Sequence, residues 1–302
     1  MSPAAETVPH PDKDTLAAES AERALAVLAE AQQERGEATV VLTGGSMGAA
    51  VLAALGASPR RTEVDWSRVN VWWSDERFVA EDSPERNCVQ AVEALGGALT
   101  LNPDRVHYMG SADEFATAEE AALDYRRELA AAADAEQRAE AFPVFDLSLL
   151  GLGPDGHVAS LFPGLRHVHE SGATVVAVHG SPKPPPDRIS MTLPLVNAAR
   201  RVWFLVAGAD KAEAVAAVRA GAPLERTPGA GVRGTEETLL LVARDALGRL
   251  ERRPPPPSKA TRPRVPRPIT ERRGRPGTRG RLRAERAQPV RNRVRRRPRR
   301  SA

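Results

Sequence analysis

The chain has 302 residues and a single cysteine, Cys88, so no intrachain disulfide can form. That usage fits a reducing compartment, and a cytoplasmic location is the expectation. No apolar run reaches the roughly 18 residues that a membrane helix needs. The stretch from Met1 to Thr15 is polar and carries Pro3, Pro9 and Pro11. It has no basic segment leading into an apolar one, so no signal peptide is read there. The six histidines show no H-E-x-x-H or comparable ligand spacing, so neither metal nor cofactor is expected. Aromatic residues make up only 4% of the chain. The basic C-terminal segment lacks the interleaved aromatics that would stack on bases.

Hydrophobic residues, at 41%, suffice for a sizeable core. The net charge of +4 conceals a division: residues 251–302 hold 20 Lys+Arg against 3 Asp+Glu, leaving 23 against 36 in residues 1–250. The body is acidic and the basic character belongs to the tail. The tail has 10 prolines in 52 residues and few large apolar side chains. It cannot bury enough surface to offset its ordering entropy, so disorder is expected from about Arg252, with a stiff polyproline start at Pro254–Pro257. The sequence therefore divides into a flexible N-terminus (1–13), one folded domain (14–250) and a disordered Arg/Pro-rich tail (251–302).

Within the body, short β-branched runs alternate with Ala- and Glu-rich stretches of helical character. The runs are Thr39–Leu42, Val69–Trp73, Phe145–Leu150, Thr174–Val178, Val202–Val206 and Thr238–Val242. The helical stretches are Asp14–Arg35, Met47–Leu55, Pro84–Leu95, Ala116–Ala133 and Lys211–Ala220. This alternation predicts an α/β fold, a mostly parallel sheet with helices on both faces. Ligands of such sheets bind beyond the carboxyl ends of the strands, so the loops that follow the strands are where chemistry is sought.

Four loops stand out. Thr43-Gly44-Gly45-Ser46 follows the first run and precedes a helix. It reads either as a phosphate cradle of backbone N–H groups plus the Ser46 hydroxyl, or as a glycine turn with Ser46 as N-cap. Asp75-Glu76-Arg77 closes the second run, as charges that hold an anion or orient water, or as solvated loop residues. The third loop runs from Gly151 to Gly164, Gly-Leu-Gly-Pro-Asp-Gly-His-Val-Ala-Ser-Leu-Phe-Pro-Gly. Its opening matches G-x-G-x-x-G, but Pro163-Gly164 ends any helix within two turns, and Glu170 comes too early and not at a strand end, so dinucleotide binding is set aside. His157, where the glycine loop meets a short helix, is suited to general base work, with Asp155 placed to fix its tautomer. The fourth loop, Gly180–Arg188, is stiffened by prolines and presents Lys183 and Arg188, two cations fit for a phosphate dianion or simply solvated. His167 and His169 read as solvated loop residues.

In order and in content these loops resemble those of the 6-phosphogluconolactonase family over roughly residues 15–250: G-G-S, then D-E-R, then the D-G-H-x-A-S-L-F-P-G block, then Ser181-Pro182-Lys183-Pro184-Pro185 running to Arg188. The resemblance implies a three-layer, modified doubly wound (Rossmann-like) fold of the glucosamine-6-phosphate deaminase class. It implies metal-free hydrolysis of 6-phosphogluconolactone, a small phosphosugar lactone, in the pentose phosphate pathway. It also implies His157 as base with Asp155, Arg77 beside the lactone, and Gly44, Gly45, Ser46, Asp75, Lys183 and Arg188 on substrate and its phosphate. Lys211, in the matching Val206–Lys211 element, either completes the anion site or starts a helix. A monomer is expected. Two features depart from the family pattern: Met47-Gly48 stands where Thr-Pro is common, removing a hydroxyl donor, and the basic tail is additional. Two other readings are an amino-sugar phosphate deaminase or isomerase, whose pattern after D-G-H supplies a carboxylate where this chain has Leu161-Phe162, and a polyanion-binding protein acting through its tail, without sequence preference.

Overall fold

A computed structural model describes residues 5–248. The tail beyond residue 250, with its expected disorder and polyproline start, lies outside the described residues. In chain order the elements are β1 (Glu6–His10), α1 (Lys13–Arg35), β2 (Ala38–Leu42), α2 (Gly45–Ala57), β3 (Val69–Trp73), β4 (Asp75–Arg77), α3 (Asn87–Leu95), α4 (Ala118–Ala135), β5 (Leu147–Gly151), β6 (Val175–Val178), β7 (Arg188–Met191), α5 (Leu193–Val196), β8 (Arg201–Val206), α6 (Ala212–Arg219) and β9 (Glu237–Ala243). Six strands form one parallel sheet in the order β1-β9-β8-β5-β2-β3, and β4-β7-β6 form a small antiparallel sheet.

The alternation of side chains along each strand builds two cores. On one face, Val40, Leu42, Val71, Trp73, Leu149, Trp203, Leu205 and Leu241 pack against α1, α2 and α3. On the other, Val41, Trp72, Leu150, Phe204, Val206 and Val242 pack with α4, α6 and the inner residues of the small sheet, Val175, Ile189 and Met191. Helices therefore cover both faces, as the strand–helix alternation predicts. Local chemistry sets the helix ends. The Asp12 carboxylate accepts from the Thr15 N–H at 2.8 Å to start α1, and the Gly36 N–H closes it on Gln32 O at 2.9 Å. At α4 the Thr117 hydroxyl accepts from Glu120 N at 3.2 Å as N-cap, and the Glu120 carboxylate reaches back to Ala116 N at 3.1 Å. At the far end of the strands, Asp146 is fully buried and takes both guanidinium nitrogens of Arg35 at 2.6 Å and the Thr39 N–H at 2.8 Å.

Four expectations need correction. The N-terminus is not wholly flexible: Glu6–His10 pairs in parallel with β9. Pro9 hid this strand, but β1 is an edge strand, where a missing N–H is tolerated. Thr174–Val178 does yield a strand, β6, yet it belongs to the antiparallel sheet, because its partner β7 returns directly after the proline loop. No helix follows His157; Val158 and Leu161 instead form an isolated bridge across a tight turn. Helix α3 begins at Asn87 rather than near Pro84.

Candidate active site

The carboxyl ends of β2 and β5 deliver the glycine loop and the D-G-H turn, and the small sheet delivers the D-E-R triplet and the proline loop. Gly44, not Ser46, is the N-cap of α2; Ser46 lies within the first turn. A side chain at Gly44 is excluded by Asn87, since a Cβ there would fall 1.8 Å from Asn87 Oδ1. Asn87 is buried, its amide donates to the Asp75 carbonyl at 2.8 Å, and its Oδ1 has no hydrogen-bond partner among the described residues. Asn87 thus ties the glycine loop to the D-E-R triplet. Gly44→Ala should destabilise the fold by about 1–3 kcal/mol, the usual cost of overpacking. Adding Asn87→Ala should recover part of that loss in urea unfolding, and a double variant no more stable than Gly44→Ala would refute the contact.

The D-E-R triplet divides its labour. Asp75 is buried; its carboxylate accepts from Ser160 Oγ at 2.7 Å and lies 3.3 Å from Asn87 Nδ2, so it joins three loops internally. Glu76 is also buried and accepts the N–H groups of Arg77, Asn87 and Cys88 at 2.7–2.9 Å, with Arg86 3.8 Å away. Burial pushes its carboxyl upward against the pull of Arg86 and those donors. Burial and the neighbouring Glu76 push the Cys88 thiol up to about 12, which leaves it an inert core residue. Arg77 stands directly opposite Arg188 in the β4–β7 register. Like charges facing across a strand pair are unfavourable unless something anionic lies between them. Arg77 donates to the Glu85 carbonyl, and its buried Nε has no hydrogen-bond partner among the described residues.

Arg188 is not a free fork. Its Nε donates to Pro185 O at 3.1 Å and one terminal nitrogen to Lys183 O and Pro184 O at 3.0 and 3.1 Å. Its guanidinium carbon lies 5.6 Å from the Phe162 ring centroid. Arg188 therefore shapes the proline loop from within, and burial lowers its pKa. Ser181 Oγ adds a bond to Lys183 O at 2.9 Å.

His157 lies at the centre. Its Nδ1 is 2.5 Å from Asp155 Oδ1, and its ring leans on Phe162 with centroids 4.5 Å apart. A carboxylate at that distance fixes the proton on Nδ1 and leaves the Nε2 lone pair as the basic site. The turn is closed by Gly153 N to His157 O at 2.9 Å, and a Cβ at Gly153 would meet His157 Nδ1 at 1.9 Å, so glycine is required there. Lys183 Nζ reaches to 3.7 Å from Asp155 Oδ1 and 3.5 Å from His157 Nδ1. Burial works against the charged Asp155, but the His157 hydrogen bond and charge, with Lys183, outweigh it and hold the carboxyl well below the usual range. Lys211 is both N-cap of α6 and a site neighbour: its Nζ donates to Leu152 O at 2.7 Å. Burial and the charge of Lys183 lower its pKa, partly offset by Asp210 and Asp155.

The structure thus gathers Asp155, His157, Lys183 and Lys211 in one place and sets Arg77 beside Arg188. Asn87, Ser160 and Phe162 escaped sequence reasoning as site residues; an asparagine directly before an apolar helical run was the available signal for Asn87. Among the described residues no group of three or more His, Cys, Asp or Glu side chains is placed to hold a metal ion. His167 and His169 fall in a 3-10 turn, where His169 pairs with Glu225 at 3.4 Å. No helix of the described residues is long and apolar enough to cross a membrane.

At the neck of the proline loop, His179 bridges Asp187 and Glu119, each at 2.8 Å. Both bonds, that of Asp187 first, raise its pKa. A raised folded value means that the protonated latch stabilises below the ordinary imidazole value of 6.5 and is lost as pH climbs through the folded value. The gap in Tm between the protein and His179→Gln should therefore be larger at about pH 5.5 than at about pH 8.5. A gap that does not change with pH would refute the latch.

Residues 11–241 match the family model described as glucosamine-6-phosphate isomerases/6-phosphogluconolactonase. A 6-phosphogluconolactonase of Streptomyces coelicolor is 50% identical over 262 residues, covering 86% of this chain and all of that one. One from Mycobacterium tuberculosis is 45% identical over 242 residues, covering 80% and 96%. The crystal structure of 6-phosphogluconolactonase from Thermotoga maritima superposes with a TM-score of 0.67 at 28% identity, covering 79% of this chain and 100% of that one. A monomeric glucosamine-6-phosphate deaminase shares the fold at 18% identity, with a TM-score of 0.65.

Proposed function

The chain belongs to the glucosamine-6-phosphate isomerase/6-phosphogluconolactonase family, and from that premise we propose that it hydrolyses 6-phospho-D-glucono-1,5-lactone to 6-phospho-D-gluconate in the pentose phosphate pathway, as a cytoplasmic monomer. The observation that carries this reading is the Asp155–His157 pair with Lys183 beside it and no acid in the following turn. Where a deaminase would place its carboxylate, this chain buries Leu161 and Phe162 completely. A proton shuttle between two sugar carbons has no group to run it there, whereas hydrolysis needs only a base, a water and an anion anchor.

In the proposed reaction the phosphate is held by Lys183, Lys211 and the Gly44–Ser46 turn, with Arg188 supporting the proline loop and Asp75 the loops around it. Phosphate capture orients the ring, so binding energy far from the reacting carbon is used for positioning. His157 Nε2 takes a proton from water, and the hydroxide adds to the lactone carbonyl carbon. Arg77 stabilises the oxyanion. As the carbonyl re-forms, the bond to the ring oxygen breaks and the His157 proton passes to that oxygen. Asp155 holds the imidazole and stabilises the imidazolium. A lactone is already an activated ester, and the reaction as proposed draws on no metal or cofactor.

The test is the disappearance of freshly prepared 6-phosphogluconolactone against its spontaneous hydrolysis, with glucosamine 6-phosphate as control. Acceleration on the lactone alone is expected; ammonia release from the amino sugar, or no rate above the blank, would overturn the reading. The charge division favours an accessory role for residues 251–302, non-specific and salt-dependent association with polyanions. Deleting 251–302 should leave lactone turnover unchanged, and an inactive truncation would show that the tail belongs to the enzyme proper.

A further inference from the structure

Lys183 stands closer to the base than an anion anchor needs to. Its backbone is fixed: the carbonyl is held by Arg188 and Ser181, and the N–H lies 3.3 Å from Ser181 Oγ. Its side chain is 40% exposed, so the ammonium can swing while the loop stays still. With Nδ1 committed to Asp155, the ammonium 3.5 Å away cannot donate to that nitrogen and acts on the ring as a charge. In this position it does two things. It opposes the second positive charge that forms when His157 takes a proton from water. It also shares Asp155 Oδ1, the oxygen that would stabilise that imidazolium.

We propose that Lys183 is a substrate-operated restraint on the base: in the free enzyme its ammonium rests on the Asp155–His157 pair, and capture of the substrate's phosphate dianion draws it away, leaving Asp155 to His157 alone. The inference rests on the lactonase reading. The phosphate then acts both as an anchor and as an activator, and an unphosphorylated lactone meets a base that is still restrained. Discrimination between the two substrates is in this way larger than the phosphate's binding alone would give, because the same group supplies affinity and releases the base.

The test uses D-glucono-1,5-lactone, which lacks the phosphate, and inorganic phosphite as the missing piece. Lys183→Met keeps most of the side chain's length and removes the charge. It should lose affinity for the phosphorylated lactone, yet hydrolyse the unphosphorylated one faster than the parent, by about fivefold for a charge at this separation in a largely aqueous setting. Lys183→Arg, which keeps the charge, should show no such gain. Phosphite should activate the parent enzyme on the unphosphorylated lactone, above its own buffer catalysis, and should not activate Lys183→Met. The proposal is overturned if Lys183→Met is no faster than the parent on that substrate, or if phosphite activates both proteins equally. Failure of the lactonase reading looks different: the parent would then leave 6-phosphogluconolactone untouched in the first place.

Discussion

His157→Ala is expected to lower turnover of 6-phosphogluconolactone by about 10²–10⁴-fold, the range that a positioned proton-transfer group contributes. The fall should be in kcat, with KM little changed, because the proposed anion anchors Lys183 and Lys211 belong to other loops. Asp155→Asn probes the same geometry more subtly. An amide in place of the carboxylate 2.5 Å from Nδ1 no longer dictates which nitrogen carries the proton, and it stabilises the imidazolium less. It should fall most of the way to the level of His157→Ala, and the double variant should be hardly worse than either. Steady-state kinetics on freshly made lactone decides this: near-parental kcat in His157→Ala removes it as the base, and strictly additive losses would mean that the two residues do not act as a unit.

The second large effect concerns the opposite end of the strands. Asp146 has no exposed side-chain surface; Arg35 binds it through both terminal nitrogens, and Arg200 stands 3.5 Å away. Removing the carboxylate strands the Thr39 N–H and takes from Arg35 its bidentate partner, while Arg200 keeps Glu34 at 3.1 Å and Glu236 at 2.6 Å. Breaking a buried pair in this way costs about 3–5 kcal/mol. For a domain of this size that lowers Tm by about 10 °C. Asp146→Ala should do so with lactonase kinetics preserved in the folded protein at lower temperature. A Tm within a degree or two of the parent would show the clasp to be energetically idle.

The parallel sheet was readable because each of its inner strands is a dense apolar run, and a strand covered on both faces has no other composition available. Of the small sheet only β6 was, through the run Thr174–Val178. Asp75–Arg77 is three charged residues, and Arg188–Met191 opens on an arginine; neither shows a periodicity that distinguishes strand from loop. They are strands because β6, Asp187 and the proline loop bring them into register. The same limit applies to the site. Asp155 and His157 are two residues apart, so their pairing could be anticipated from the turn. Lys183 meets them from another sheet, 26 positions from His157, and nothing local announces that approach. Arg188 reads from sequence as a cation fit for phosphate or simply solvated, but the four prolines that stiffen its loop leave carbonyls turned inward, and those carbonyls take its Nε and one terminal nitrogen. Phe162 could be seen as apolar, not as the wall shared by the imidazole and that guanidinium.

The pairing of β1 with β9 joins the first and the last strand of the described residues. On the ribosome, Glu6–His10 emerges before the other described strands and has no sheet partner until residues 237–243 have been made. Until then these residues must wait, polar and proline-bearing, as a poor template for stray pairing. The composition that hid β1 from a reading of the sequence is therefore also what keeps it harmless while the rest of the chain is being built.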